Sequence, residues 1–141
     1  MKAPAAAAGF CWPVRVYWED TDAGGVVFYA NYLRYMERAR TEWCRAAGID
    51  QSRLQAEEGL VFTVVSNEVE YLRPARLDDL LAVTVAIESA KRASLTLAQE
   101  VRRGDRDGEL LVRGRVRVAC VDTAAFRPRA FPESFRRLVA S

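Results

Sequence analysis

The sequence predicts an α+β chain, with one long amphipathic helix lying across one curved antiparallel sheet of five strands. Three observations carry this. Apolar residues recur at helical spacing from about Ala30 to Ala47. From Leu60 onward the period changes to two and stays there. The breaks between the later alternating runs, RPARLDD, ESAKRA and RGDRDG, are too short for parallel crossovers, which need about a dozen residues or more.

In chain order, residues 1–9 read as a flexible tail and residues 10–141 as a single domain. Trp12 to Trp18 alternates as a strand, with Val14 and Val16 on one face and Trp12 and Trp18 as further candidates for it. An acidic turn follows. Then Tyr32, Met36, Ala39, Trp43 and Ala47 form a helical stripe, widened by Tyr35. Arg38 and Glu42 stand at pairing distance, and Gly48 is a stop. Val61–Arg73 reads as a strand with a phase slip near Ser66 and Asn67, the mark of a bulge. Leu81, Val83, Val85 and Ile87 alternate with smaller or polar residues, as do Ala93, Leu95 and Leu97. Leu110, Val112, Gly114, Val116, Val118 and Cys120 alternate with a face holding Arg113, Arg115 and Arg117. A brief helix is expected after Pro132. The outer sheet face reads as partly apolar, which self-association would cover.

Composition limits the function. With half its residues apolar and 28% charged, the chain is globular rather than disordered. A net charge of +2 is too small for a general nucleic-acid footprint. No apolar run reaches the roughly 18 residues of an integral membrane segment. The start, MKAPAAAAGFCW, has too short an apolar stretch for a signal peptide. The three cysteines, Cys11, Cys44 and Cys120, lie far apart, and there is no histidine to complete a zinc site. A reducing, cytoplasmic compartment, no metal and no cofactor are the expectations. The cysteines read as small buried apolar residues.

Between strand and helix stands EDTDAGG, with Glu19, Asp20, Asp22, Gly24 and Gly25. Acids before a helix commonly cap its N–H groups. A phosphatase of the haloacid-dehalogenase type also begins with a strand and DxD, but needs a parallel βαβ series that this chain lacks. A calcium loop counted from Asp20 places Asn31 where its glutamate belongs. Thioester hydrolysis asks for less. Its leaving thiol has a pKa near 8.5 if it behaves like cysteine, and departs without a strong general acid. A carboxylate as nucleophile or base suffices, with backbone N–H groups at a helix start aimed at the carbonyl oxygen. Chemistry that depends on histidine, including a serine triad, is excluded.

FCWPVRVYWEDTDAGGVVFYANYLRYMERARTEW resembles the hotdog-fold acyl-CoA thioesterases of the 4-hydroxybenzoyl-CoA thioesterase family, and more narrowly their Tol-Pal-associated, YbgC-type branch. The likeness runs on through VEYLRPARLDD, KRASLTLAQEV and ACVDTAAFRPRA, from about Phe10 to Leu138. It implies a hotdog fold, one long central helix wrapped by a five-stranded antiparallel sheet. It implies a homodimer or homotetramer with sites at the subunit interface, and an acyl-CoA substrate whose coenzyme A is part of the substrate rather than a cofactor. An acyl carrier protein is a second thioester carrier in this reading. A hotdog protein that holds acyl groups or carrier proteins without turnover is the alternative.

The resemblance assigns the catalytic carboxylate to Asp22 and the carbonyl-polarising donor to the backbone amide of Tyr29. Gly25 and Val26 lie beside the substrate, with Gly24 helping the tight turn, while Asp20 and Glu19 have no matched catalytic role and Asp20 reads as a turn or capping residue. Lys91 and Arg92 are the implied phosphate contacts, with Arg73 and Arg76 as weaker candidates. Ser66 and Asn67 are pocket candidates without a role, and the Arg113, Arg115 and Arg117 stripe reads as a solvated face. Two departures stand out. Trp18 occupies a position where some members of the branch carry tyrosine, and Tyr29 one where some carry histidine. They remove a side-chain proton shuttle and leave Asp22 and the amide in place.

Overall fold

Period-two alternation sets five strands edge to edge. In the computed structural model, which describes residues 9–140, they are β1 (Phe10–Arg15), β2 (Leu60–Tyr71), β3 (Leu80–Ala90), β4 (Ser94–Arg103) and β5 (Leu110–Asp122). All pairings are antiparallel, in the order β1-β3-β4-β5-β2, so β1 and β2 are the edges. The register of β2 on β5 shifts between Val64 and Ser66, at the expected bulge. Of the tail, only Gly9 lies within the described residues. It is buried, and its carbonyl accepts a hydrogen bond from Arg106.

The helical stripe forms α1 (Asn31–Ala46), about 24 Å long at 1.5 Å per residue. Tyr32, Tyr35, Met36, Ala39 and Trp43 are buried against the sheet's inner residues, among them Val83, Val85, Leu97, Val116 and Cys120. Gly48, at φ 83°, ends the helix. Its N–H donates to the Arg45 carbonyl and that of Ile49 to the Cys44 carbonyl, a closing pair that needs a left-handed residue. Ala47, expected on the stripe, is exposed beyond this end. Glu42 pairs with Arg45 rather than Arg38.

The helix is not alone. α2 (Gln51–Glu58) is capped by the Asp50 carboxylate on the Arg53 N–H and buries only Leu54. With one apolar contact it has no stripe to read in the sequence. α3 (Glu133–Ala140) follows Pro132, as expected, and buries Phe135 against Trp43, Phe62 and Phe131.

Two expectations need correction. β1 stops at Arg15, and Trp18 lies in a one-turn 3-10 helix, Trp18–Asp20, with 79% of its surface exposed. The outer sheet face is a charged lattice rather than an apolar one. Arg113 pairs with Glu70 at 2.6 Å, Arg115 with Glu88 at 2.8 Å, and Arg102 with Glu100 at 2.8 Å. Most of the exposed large apolar groups stand around the 3-10 turn and along β2, with Phe126 apart from both.

Gly114 lets α1 approach the sheet. A Cβ there would meet the Glu68 carbonyl at 3.1 Å and the Met36 Cε at 3.4 Å. Gly114→Val should therefore destabilise the fold by about 1–3 kcal/mol through overpacking, lowering the urea midpoint without changing the slope. An unchanged midpoint would mean that the contact is not tight.

Candidate active site

Where β1 leaves the sheet, the Val16 N–H donates to the Asp79 carbonyl at 2.9 Å. The chain then folds round Asp20, which is only 6% exposed. One oxygen of its carboxylate accepts the Tyr17 N–H at 2.8 Å, and the other accepts the Asn31 side-chain amide at 2.9 Å. Its carbonyl accepts the Phe28 N–H at 2.9 Å. Strand exit, turn and helix entry thus meet on one residue, which holds the turn as its position suggested. The Tyr35 hydroxyl is buried near this carboxylate but not in hydrogen-bond geometry. Burial first, and the Asp20 charge second, push its ionisation up.

Asp22 closes the next loop. Its N–H donates to the Val26 carbonyl at 2.9 Å, and its carbonyl accepts the Gly25 N–H at 3.0 Å. Gly25 sits at φ 79°, a conformation that favours glycine. One Asp22 carboxylate oxygen accepts the Gly24 N–H at 2.8 Å. The side chain is exposed, and its second oxygen has no hydrogen-bond donor among the described residues. Thr21 pairs with Val27, Val26 with Arg76, and the Val27 N–H donates to the Ala75 carbonyl at 2.9 Å. Asp22, Gly25 and Val26 therefore share one small antiparallel loop docked on the segment before β3.

Tyr29 stands just before α1. Its carbonyl accepts the Tyr71 hydroxyl at 3.3 Å, while its N–H has no acceptor among the described residues. It lies one residue before the N-cap Ala30, at the positive end of α1, where a free donor suits a developing negative charge. Beside it opens a cavity of about 260 Å³ lined by Val27, Tyr29, Tyr32, Tyr71, Leu72, Arg73 and Pro74. The Ala75 N–H donates to the Tyr32 hydroxyl at 3.0 Å. Arg103 braces the same segment through Asp79 and the Pro74 carbonyl. Tyr71 and Tyr32 were not singled out as site residues by their sequence pattern. Tyr71 closes a strand and Tyr32 belongs to the core stripe, so each reads locally as structure.

The cations fall into two groups. Arg76 lies against Val26 with no ion pair among the described residues, whereas Arg73 pairs with Glu109 at 3.0 Å. Lys91 and Arg92 are exposed beyond the far end of β3. Eleven residues of strand, about 36 Å, separate them from the Asp22 loop within one chain. Ser66 and Asn67 are exposed on edge strand β2. A depression of about 500 Å³ lies among Glu68, Glu70, Glu88, Arg113 and Arg115 on the outer face, and no turn residue lines it. Arg113 and Arg115 are ion-paired there, as befits a solvated face. No group of three or more His, Cys, Asp or Glu that could hold a metal ion occurs among the described residues. All three cysteines are free. Burial pushes the Cys44 thiol up to about 11 and the Cys120 thiol upward, which suits packing rather than attack.

The sequence matches the model of a family described as the thioesterase-like superfamily over residues 16–139. It is 43% identical over 128 residues to the acyl-CoA thioesterase YbgC of Haemophilus influenzae, covering 91% of this chain and 92% of that one. It is 46% identical over 125 residues to the acyl-CoA thioester hydrolase YbgC of Escherichia coli, covering 89% and 91%. A crystal structure of a probable thioesterase from Bartonella henselae superposes with a TM-score of 0.81 at 32% identity, covering 88% of this chain and 99% of that one.

Two predictions follow from the turn's geometry. Asp20→Ala strands the Tyr17 N–H and the Asn31 amide, and should lower unfolding free energy by about 1–3 kcal/mol in urea titration. Asp22→Asn should stay within about 0.5 kcal/mol of wild type. Equal effects would deny the division of labour between the two acids. Tyr32 and Tyr35 both hold their protons more tightly folded than unfolded. Stability should be intact below about pH 10 and fall as pH rises above it, where unfolded tyrosines ionise first. Tyr35→Phe should flatten that fall, measured by denaturant midpoints and tyrosinate absorbance. A slope identical to wild type would count against it.

Proposed function

Because this chain belongs to the thioesterase-like superfamily and is an acyl-CoA thioester hydrolase, we propose that Asp22 is its catalytic carboxylate and the Tyr29 N–H its carbonyl-polarising donor. The fold is the hotdog fold, with α1 as the helix that the sheet wraps. One observation carries the assignment. The Asp22 loop and the α1 start share one turn, and each presents an uncommitted group there, a carboxylate oxygen and a backbone N–H.

In this reading the thioester oxygen accepts the Tyr29 N–H, and the carbonyl carbon becomes electrophilic. Asp22 then works by one of two routes. It attacks the carbon, the C–S bond breaks with its electrons going to coenzyme A, and water hydrolyses the resulting anhydride. Alternatively it takes a proton from a water that attacks directly. Both end in a free carboxylic acid and coenzyme A, and both dispense with histidine because the thiolate leaves readily. Gly25 and Val26 flank the reacting group. The cavity beside Tyr29 offers apolar and aromatic walls to the bound substrate.

The site is incomplete in one chain. Trp18, Tyr17, Phe28 and Tyr29 around the turn, and Val64, Val65 and Tyr71 on β2, are all exposed. A patch of this kind beside an unpaired edge strand supports a homodimer, with dimers pairing into a homotetramer. Lys91 and Arg92 then serve coenzyme A phosphates in a neighbouring subunit's site. The three free thiols support a cytoplasmic location. A link to the Tol-Pal envelope system and an acyl-carrier-protein substrate belong to the same proposal. Sedimentation velocity tests the first point, and turnover on carrier-protein against coenzyme A thioesters tests the last.

Thiol release across short, long and aromatic acyl-CoA substrates tests the chemistry. Asp22→Asn should lose about 10²–10⁴-fold in kcat. Tyr29→Phe should retain turnover within a few-fold, whereas Tyr29→Pro, which deletes the N–H, should lose about 10²–10³-fold. Full activity in Asp22→Asn, or equal losses in Tyr29→Phe and Tyr29→Pro, would sink the assignment.

A further inference from the structure

At the end of the molecule away from the Asp22 loop, an aromatic ring is held in water. Phe126 is 62% exposed and sits at φ 57°, a conformation that bulky residues rarely adopt. The loop around it is closed. The Asp122 N–H donates to the Arg127 carbonyl at 3.0 Å, the Phe126 N–H donates to the Asp122 carbonyl at 2.9 Å, and the Asp122 carboxylate accepts the Ala125 N–H.

Cations share this end of the molecule. Arg127, Arg129 and Arg136 are exposed and form no ion pair among the described residues. Lys91 and Arg92 adjoin them. The Phe131 N–H donates to the Arg92 carbonyl at 3.0 Å, and Cys120 bridges Ala93 and Arg129 through backbone hydrogen bonds of 2.8 and 2.9 Å. Three acids share this end. Asp122 is engaged by its own loop, Glu133 is paired with Arg137 at 3.4 Å, and Glu58 ends α2. The balance is positive.

The shape of the end selects the partner. Neither the cavity beside Tyr29 nor the outer-face depression is lined by Phe126, Arg127, Arg129 or Arg136. A small phosphorylated ligand needs donors that converge in a concavity. A single ring with no apolar groove around it gives a protein partner little to pack on. Unpaired cations on the same end as an exposed ring instead match an array of phosphates over an apolar layer. We propose that the Phe126 loop docks this protein on an anionic lipid bilayer, with the ring at the boundary between headgroups and acyl chains and Arg127, Arg129 and Arg136 against lipid phosphates. The surface is separate from the Asp22 loop, so its test does not depend on the catalytic assignment.

The test is cosedimentation of the full chain with vesicles of phosphatidylcholine alone and of phosphatidylcholine mixed with phosphatidylglycerol. Wild type should partition onto the anionic vesicles only, and release as salt approaches about 1 M, where the screening length falls to about 3 Å. Phe126→Ser should weaken partitioning several-fold. Arg127→Gln and Arg136→Gln should each weaken it about five-fold. All three should keep wild-type turnover of a soluble acyl-CoA, which also reports that they fold. Equal binding to neutral vesicles, or wild-type binding by the triple variant, would overturn the proposal. So would absence of vesicle binding together with a smaller oligomer in Phe126→Ser, since a second copy of the chain would then be what covers the loop.

Discussion

The Asp20 carboxylate is the constraint on which the turn depends. A buried carboxylate is tolerable only when its oxygens are met by donors. Here one is met from the strand exit, by the Tyr17 N–H, and the other from the helix entry, by the Asn31 amide. A second staple works from the opposite side. Buried Ala75 gives its N–H to the Tyr32 hydroxyl and takes the Val27 N–H on its carbonyl. Between these two fixed points the loop from Thr21 to Val27 has little freedom. In this loop the Asp22 carboxylate keeps one oxygen without a donor, and just beyond it the Tyr29 N–H has no acceptor among the described residues; these are the groups to which the proposed reaction assigns its chemistry.

The same economy explains how the chain manages without imidazole. An amide or ester leaving group would demand a proton donor in the site. A thiolate does not, so a carboxylate held by one backbone N–H and an unmatched helix-start donor cover the requirements of the proposed reaction. In the proposed reaction Tyr29 contributes only its main chain, which leaves its side chain to packing. The ring meets Phe28 at 4.8 Å and Tyr71 edge-on at 6.2 Å, and so helps to line the neighbouring cavity.

What could be read from the sequence follows how local each signal is. The α1 stripe and the β5 alternation were legible because a buried face repeats along its own element. The bulge near Ser66 was legible as a break in that repeat. α2 was not, since Leu54 alone gives no period. Trp18 misled because its spacing continues that of β1 while its backbone has already turned into a 3-10 helix. The outer face misled for another reason. Alternation says which residues share a face, but the pairing of Arg113 with Glu70 and Arg115 with Glu88 depends on register between strands far apart in sequence. The acidic turn was legible as a candidate site through its resemblance. The division of labour proposed for Asp20 and Asp22 rests on burial, since the first is only 6% exposed and the second is exposed.

Lys91 and Arg92 raise the sharpest question about assembly. A bound coenzyme A cannot reach both the Asp22 loop and the β3–β4 turn of one chain if about 36 Å of strand lies between them along a single edge-to-edge sheet. Either these two cations serve another chain's site or they serve no coenzyme A at all. The exposed rings around the turn and the open edge of β2 argue for the first alternative, because both would be covered by a neighbouring chain. A sheet edge extended by a second copy gives its unpaired N–H and C=O groups partners, and it brings foreign side chains to the Tyr29 cavity. On that argument the acyl pocket is shaped by two chains, and the identity of the acyl group is written in the contact between them.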